Sequence, residues 1–158
     1  MNDSTLRKNL VEMLEGEPAH VGIKNALEGI NPDILNARPS KGLHSIWELF
    51  EHMRISQEDI LRYTLDPKWV SPSWPEGHWP PPSEKATPEM LKKSISKFNS
   101  DLKEVVSLAK NSKIDLTGEI PHGEGRTYLR EILLIIDHNA YHLGQILSVR
   151  KALSNWKA

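Results

Sequence analysis

The chain has 158 residues, no cysteine, and 20 Lys and Arg against 21 Asp and Glu, for a formal net charge of −1. Its length predicts a single domain, residues 1–158. The lack of cysteine excludes disulfides, thiolate catalysis by the protein and zinc–cysteine sites. The balanced charge gives no electrostatic footprint for nucleic acid, so we expect no nucleic-acid partner.

No segment of the sequence predicts export or membrane insertion. The first residues, MNDSTLRKNLVEML, lack the apolar core of a signal peptide. The longest apolar run, ILLII at 132–136, is too short to span a bilayer. We therefore expect a cytoplasmic protein without membrane contact.

Helical periodicity appears in four stretches. The first, DSTLRKNLVEML, is expected to break around Gly16 and Pro18 and to resume as AHVGIKNALEGI, and Asn31 and Pro32 then predict a single turn. The other three helices are predicted over 45–65, 87–110 and 127–153. No strand pattern competes, and 113–127 is expected to be a loop with a tight turn at Gly123 and Gly125. The pattern predicts an all-α protein, a four-helix bundle.

The connection between the second and third helices, 66–86, holds six of the eleven prolines and three of the five tryptophans, Trp69, Trp74 and Trp79. Three tryptophans are not expected to remain together in water, so we predict that they pack against the bundle. A loop of this length can cross one end of a bundle and leave the two helices parallel. It can also form a lid or wall over a pocket, which is compatible with packing.

The fourth helix contains DHNAYHLGQIL, with His138 and His142 four residues apart on one side. Its core face is predicted to lie elsewhere, on Leu129, Ile132, Leu133, Ile136, Ala140, Leu143 and Leu147. The histidine side is apolar as well, so we expect it to face a pocket, a covering loop or another subunit.

Two histidines with this spacing can bind one metal ion, provided that a third ligand comes from elsewhere. His52, in the middle of the second helix, is the best candidate, and a site between facing helices is where bundles place metals. Glu48 and His44 lie one and two turns before it. Spacing alone leaves open the alternative that these are hydrogen-bonded structural histidines.

The segments SIWELFEHMRISQEDIL and HGEGRTYLREILLIIDHNAYHLGQILSVR resemble the DinB/YfiT-like superfamily of bacterial metalloproteins. The resemblance implies a four-helix bundle with a long crossover between helices 2 and 3, and a metal site on His52, His138 and His142. It also implies a divalent ion such as nickel or zinc, and a homodimer. Characterised members include S-transferases that use a low-molecular-weight thiol, namely bacillithiol, mycothiol or glutathione.

Three neutral imidazoles leave a divalent ion with an open position, which suits a catalytic site. That position could bind water and lower its pKa, or bind a thiol supplied by a cofactor. We therefore expect a metal-dependent enzyme acting on a small-molecule substrate, and the resemblance implies a thiol-dependent S-transferase. The alternatives are a metal-dependent hydrolase and a non-catalytic metal-binding or sensing protein.

Several further residues are candidates for the site. Glu48 could act as a base or orient His52, or it could simply complete a Ser-x-x-Glu capping box with Ser45. The remaining candidates are Asn139 and Gln145 as hydrogen-bond partners of the metal ligands, His20 and His122 near the pocket, and Trp47 and Tyr141 as wall or packing residues. Excess apolar surface on the first or fourth helix predicts a homodimer interface.

Overall fold

A computed structural model describes residues 3–16 and 19–156, and these are organised entirely by helices. The helices are α1 (Asp3–Glu15), α2 (Ile23–Leu27), α3 (Ile46–Leu65), α4 (Pro88–Lys110) and α5 (Tyr128–Ala152), with 3-10 turns at Pro32–Ile34 and Glu76–His78. Within the described ranges there is no β-strand, only one isolated antiparallel bridge between Glu119 and Thr127. No helix there is long and apolar enough to cross a membrane. The predicted all-α class is confirmed.

The three longest helices begin at the predicted positions, directly after an N-cap hydroxyl at residues 45, 87 and 127. The Ser45 hydroxyl accepts a hydrogen bond from the backbone N–H of Glu48, and the Glu48 carboxylate accepts one from the backbone N–H of Ser45. The hydroxyls of Thr87 and Thr127 cap α4 and α5 in the same way. Each cap satisfies an N–H that has no partner inside its helix.

The first helix breaks as predicted, because α1 ends at Glu15, although Pro18 lies outside the described residues. Its predicted resumption over 19–30 is too long, since α2 covers only five residues. Gly29 has a φ of +66°, which turns the chain away soon after α2 ends. The turn predicted before α5 is present, and Gly125 there has a φ of +85°.

Helix α3 packs against both α4 and α5, and α1 packs against the same two helices. The buried apolar side chains form two clusters. The first core cluster joins α2, the first half of α3, the start of α4 and the end of α5, through residues that include Ile46, Phe50, Met53, Phe98 and Ile146. The second joins α1, the end of α3, the end of α4 and the start of α5, through residues that include Leu10, Leu61, Val105, Ile132 and Ile135. The middle of the α3–α5 interface lies between the two clusters.

The predicted core face of α5 is partly wrong. Leu133 is 48% exposed, whereas Ile135, Ile146 and Val149 on the histidine side are buried in the core clusters. A helix that is apolar around most of its circumference does not reveal by periodicity which side meets its neighbour. The histidines therefore face α3 rather than a secondary surface.

A buried arginine joins α1 to the end of α4. The Arg7 guanidinium donates hydrogen bonds to the carbonyls of Ala109, Asn111 and Ile114. These carbonyls lie at or beyond the C-terminus of α4, where the helix itself offers them no N–H. Arg7 thus contributes hydrogen bonding that α4 lacks at that end.

Candidate metal centre

Three histidines meet in the middle of the α3–α5 interface. His52 comes from α3, and His138 and His142 come from successive turns of α5. One ring nitrogen of each lies within 4.8 Å of the others. The Nε2 atoms of His52 and His138 are 3.2 Å apart. The structure therefore brings together the three residues singled out by the sequence, and this cluster could hold a metal ion.

Hydrogen bonds fix the orientation of two of the rings. His52 Nδ1 lies 2.7 Å from the His78 carbonyl oxygen, and His142 Nδ1 lies 2.7 Å from Gln145 Oε1. Both partners are acceptors, so each imidazole carries its proton on Nδ1 and a lone pair on Nε2. Metal-binding histidines are commonly held in this way by a carbonyl or carboxylate behind the ring.

His138 is the ring with an unsatisfied atom. Its Nε2 faces the bare Nε2 of His52, so in the absence of metal His138 donates that hydrogen bond. Its Nδ1 is buried and has no hydrogen-bond partner within the described residues. A buried polar atom left unpaired costs about 1–3 kcal/mol and calls for an explanation. Metal coordination through Nε2 would move the proton to Nδ1 and free Nε2 as a ligand, but that Nδ1–H would still have no acceptor among the described residues.

The three imidazoles are held in the neutral form. Burial lowers the pKa of His52 to about 4, against an opposing contribution from its hydrogen bond to the His78 carbonyl. Burial, reinforced by repulsion from the charged forms of His142 and His52, lowers the pKa of His138 to about 3. The pKa of His142 is lowered as well, chiefly by burial. Only a neutral imidazole has a lone pair for a metal.

The nitrogen spacing fits a divalent ion. Two nitrogens about 2.1 Å from an ion at a tetrahedral angle lie roughly 3.4 Å apart. The 3.2 Å separation of His52 and His138 is close to that value, and the other nitrogen pairs, which lie within 4.8 Å, would have to close by at most about 1.4 Å. Three neutral nitrogen ligands suit zinc or nickel and leave the ion its full charge.

The 66–86 segment forms a wall of this site. The Trp79 indole stacks on the His52 ring with centroids 4.0 Å apart and planes within 4° of parallel, and it also stacks on His44. Trp69 donates from Nε1 to Asp59 on α3. The prediction that the tryptophans pack against the helices is therefore confirmed for two of them. It is wrong for Trp74, which is 75% exposed.

The other predicted site residues divide between the site and the scaffold. Gln145 holds His142, as predicted. Asn139 instead donates to Gln57 on α3. The Glu48 carboxylate accepts hydrogen bonds from the Arg38 side chain. It also accepts one from the backbone N–H of Ser45, and this contact is its capping role.

The remaining candidates lie outside the histidine cluster. His20 is exposed, and His122 contacts the Tyr63 carbonyl. Trp47 is buried and donates to Glu84, so it packs. Tyr141 is 63% exposed and stands edge-on to His142.

A cavity of about 550 Å³ adjoins the site and is lined by Leu43, His44, Tyr141, Gln145 and Val149, among others. It approaches the cluster through Gln145, which holds His142, and through His44, which stacks on Trp79. Sequence reasoning missed the roles of Asp59 and His78 here. The His78 contribution is a backbone carbonyl, which every residue type offers, so no sequence signal could have found it.

The fold and the site define an all-helical protein with a three-histidine cluster able to hold a metal ion. Residues 23–146 match the family model of the DinB superfamily, and the chain therefore belongs to that superfamily. The matched region contains all three histidines. No curated protein and no solved structure matches the chain.

Proposed function

We propose that this protein binds one divalent metal ion through His52, His138 and His142. The observation that carries the proposal is the fixed orientation of His52 and His142, whose Nδ1 atoms are paired and whose Nε2 atoms therefore keep a lone pair, within a set of three ring nitrogens that lie within 4.8 Å of one another. Membership of the DinB superfamily adds support, because that family is associated with metals. A divalent ion bound there would act as a Lewis acid that lowers the pKa of a coordinated thiol or water.

We further infer that the protein is a metal-dependent enzyme, and specifically a thiol-dependent S-transferase acting on a small molecule. The chain has no cysteine, so the sulfur must come from a low-molecular-weight thiol. In the reaction an S–C bond forms, the bond from that carbon to its leaving group breaks, and the thiol proton passes to solvent. The cavity beside His142 offers apolar walls from Leu43 and Val149 for the carbon skeleton of the electrophile, with Gln145 and His44 as polar groups.

The overall organisation that we propose is one domain, with α1, α3, α4 and α5 forming a four-helix bundle. The two core clusters support it, since the first halves of α3 and α4 share one cluster and their second halves share the other. That arrangement makes α3 and α4 parallel and the 66–86 segment a crossover. We also propose a homodimer, because Leu133 and Tyr141 leave apolar surface exposed on α5.

The test of the enzymatic proposal begins with metal-free protein reloaded with Zn²⁺ or Ni²⁺. Each form is assayed with a chromogenic electrophile and one thiol, namely bacillithiol, mycothiol or glutathione. In a separate assay an activated ester replaces both the thiol and the electrophile. Transfer that requires metal and is lost in His138→Gln supports the S-transferase. Ester hydrolysis without thiol transfer would indicate a hydrolase instead. Failure to bind either metal would refute the whole proposal.

A non-catalytic metal-binding protein is the second candidate, and burial of the ligands favours it, because His52 is 3% and His142 is 7% exposed and a substrate would have limited access to the cluster. Cobalt-substituted protein separates the two functions. A sulfur-to-cobalt charge-transfer band on addition of thiol requires an open coordination position and supports the enzyme. A cobalt spectrum that no thiol alters supports the non-catalytic role.

A further inference from the structure

Asp59 connects the crossover segment to the helix that carries His52. It lies two turns after His52 on α3, and its side chain is 15% exposed. One carboxylate oxygen accepts a 2.7 Å hydrogen bond from Trp69 Nε1, and the other lies 3.2 Å from His78 Nε2. Two residues nine positions apart in the 66–86 segment are thus held by one carboxylate, which forms charge-assisted hydrogen bonds.

The same His78 reaches the histidine cluster through its backbone. Its carbonyl accepts the 2.7 Å hydrogen bond from His52 Nδ1, and the next residue, Trp79, stacks on the His52 ring. The side chain of His78 is therefore fixed by Asp59 while its main chain orients His52. His78 lies in a short 3-10 turn that gives its backbone little freedom once its side chain is held.

We propose that Asp59 is a positioning residue of the metal site. By holding Trp69 and His78, it fixes the carbonyl that orients His52, and so it couples docking of the crossover segment to metal affinity. The inference rests on the proposed metal binding by His52, His138 and His142. Coupling between two binding events is reciprocal, so a bound metal must also stabilise the docked segment.

The first measurement is the dissociation constant for Zn²⁺, by competition with a chelating dye, in wild type, Asp59→Ala and Asp59→Asn. The matched control is Glu58→Ala, which removes the neighbouring carboxylate. Glu58 forms ion pairs with Arg54 and Lys97 and not with the 66–86 segment. We expect Asp59→Ala to bind about 10-fold more weakly, at the lower end of the range for removing a direct partner of a metal ligand, because the His78 carbonyl itself remains. Asp59→Asn keeps one acceptor oxygen and should lose less, and Glu58→Ala should match wild type.

The second measurement does not depend on activity or on metal affinity. Lys68 is exposed and immediately precedes Trp69, so trypsin cleavage after Lys68 reports release of the segment. We expect metal-free Asp59→Ala to be cut faster than wild type and Glu58→Ala, and we expect Zn²⁺ to slow cleavage of wild type but not of Asp59→Ala.

The outcomes separate this inference from the proposed function. If wild type binds no Zn²⁺, the proposed function fails and the coupling fails with it. If wild type binds Zn²⁺ and Asp59→Ala binds it equally well, the coupling is refuted and the metal site stands. If Asp59→Ala loses its circular-dichroism helix signal, the test rests on Asp59→Asn. Zn²⁺ affinity and trypsin cleavage equal to those of wild type in Asp59→Asn would then overturn the proposal.

Discussion

Acidification of the metal-free protein should destabilise it at pH values well above those at which carboxylates protonate. The imidazoles of His52 and His138 have pKa values of about 4 and about 3, below the ordinary histidine value of about 6.5. Below pH 6.5 the unfolded chain therefore binds protons that the folded protein does not. The contribution of these two neutral imidazoles to the free energy of unfolding is fully present above pH 6.5. It is lost as the pH falls toward their pKa values in the folded protein.

The size of the loss follows from the same shifts. Between pH 6.5 and pH 5.0 each histidine contributes at most about 2 kcal/mol, since one pH unit corresponds to about 1.4 kcal/mol. The upper bound for His52 and His138 is thus about 4 kcal/mol. His138 is partly exposed, and screening by water reduces its share. We expect a loss of about 2–3 kcal/mol in the free energy of unfolding.

Urea denaturation followed by tryptophan fluorescence, with a chelator present, measures this loss at pH 7.5, 6.5, 5.8 and 5.0. The variant His138→Gln should lose about half of the pH dependence. His20→Gln, which removes an exposed histidine far along the chain from the cluster, should retain all of it. Equal free energies of unfolding at pH 7.5 and 5.0, or full pH dependence in His138→Gln, would show that the buried imidazoles do not stay neutral.

Further substitutions test the supports of the site and of the fold. Gln145→Leu removes the acceptor behind His142 and should weaken Zn²⁺ binding about 10–100-fold. Ser148→Ala on the same helix should leave the affinity unchanged, and equal affinities of the two variants would contradict the assigned role of Gln145. Ser45→Ala should cost about 1 kcal/mol of stability in chemical denaturation without altering metal affinity, because it removes only a helix cap. Arg7→Met leaves the carbonyls of Ala109 and Ile114 without a donor, whereas the Asn111 carbonyl keeps the N–H of Ile114, and it should cost about 3 kcal/mol of stability. A cost below about 0.5 kcal/mol would refute that account. Light scattering should report about twice the 18.0 kDa chain mass, and a stable monomer at micromolar concentration would rule out the proposed dimer.

The sequence by itself determined the local structure. The predicted helix starts at residues 45, 87 and 127 coincide with the observed N-caps, because a cap acts within a single turn and needs no tertiary partner. The spacing of His138 and His142 likewise placed two imidazoles on one helix side, since helical geometry alone fixes that relation.

Only the tertiary structure decided which surfaces meet. Helix α5 is apolar on most sides, so its sequence could not show that Ile135 and Val149 face the core while Leu133 is exposed. Trp69 and Trp74 lie in the same proline-rich segment, yet only Trp69 finds an acceptor, Asp59, on α3. The His78 carbonyl that orients His52 is likewise invisible in a sequence, because a backbone group acquires its role only from where the folded chain places it.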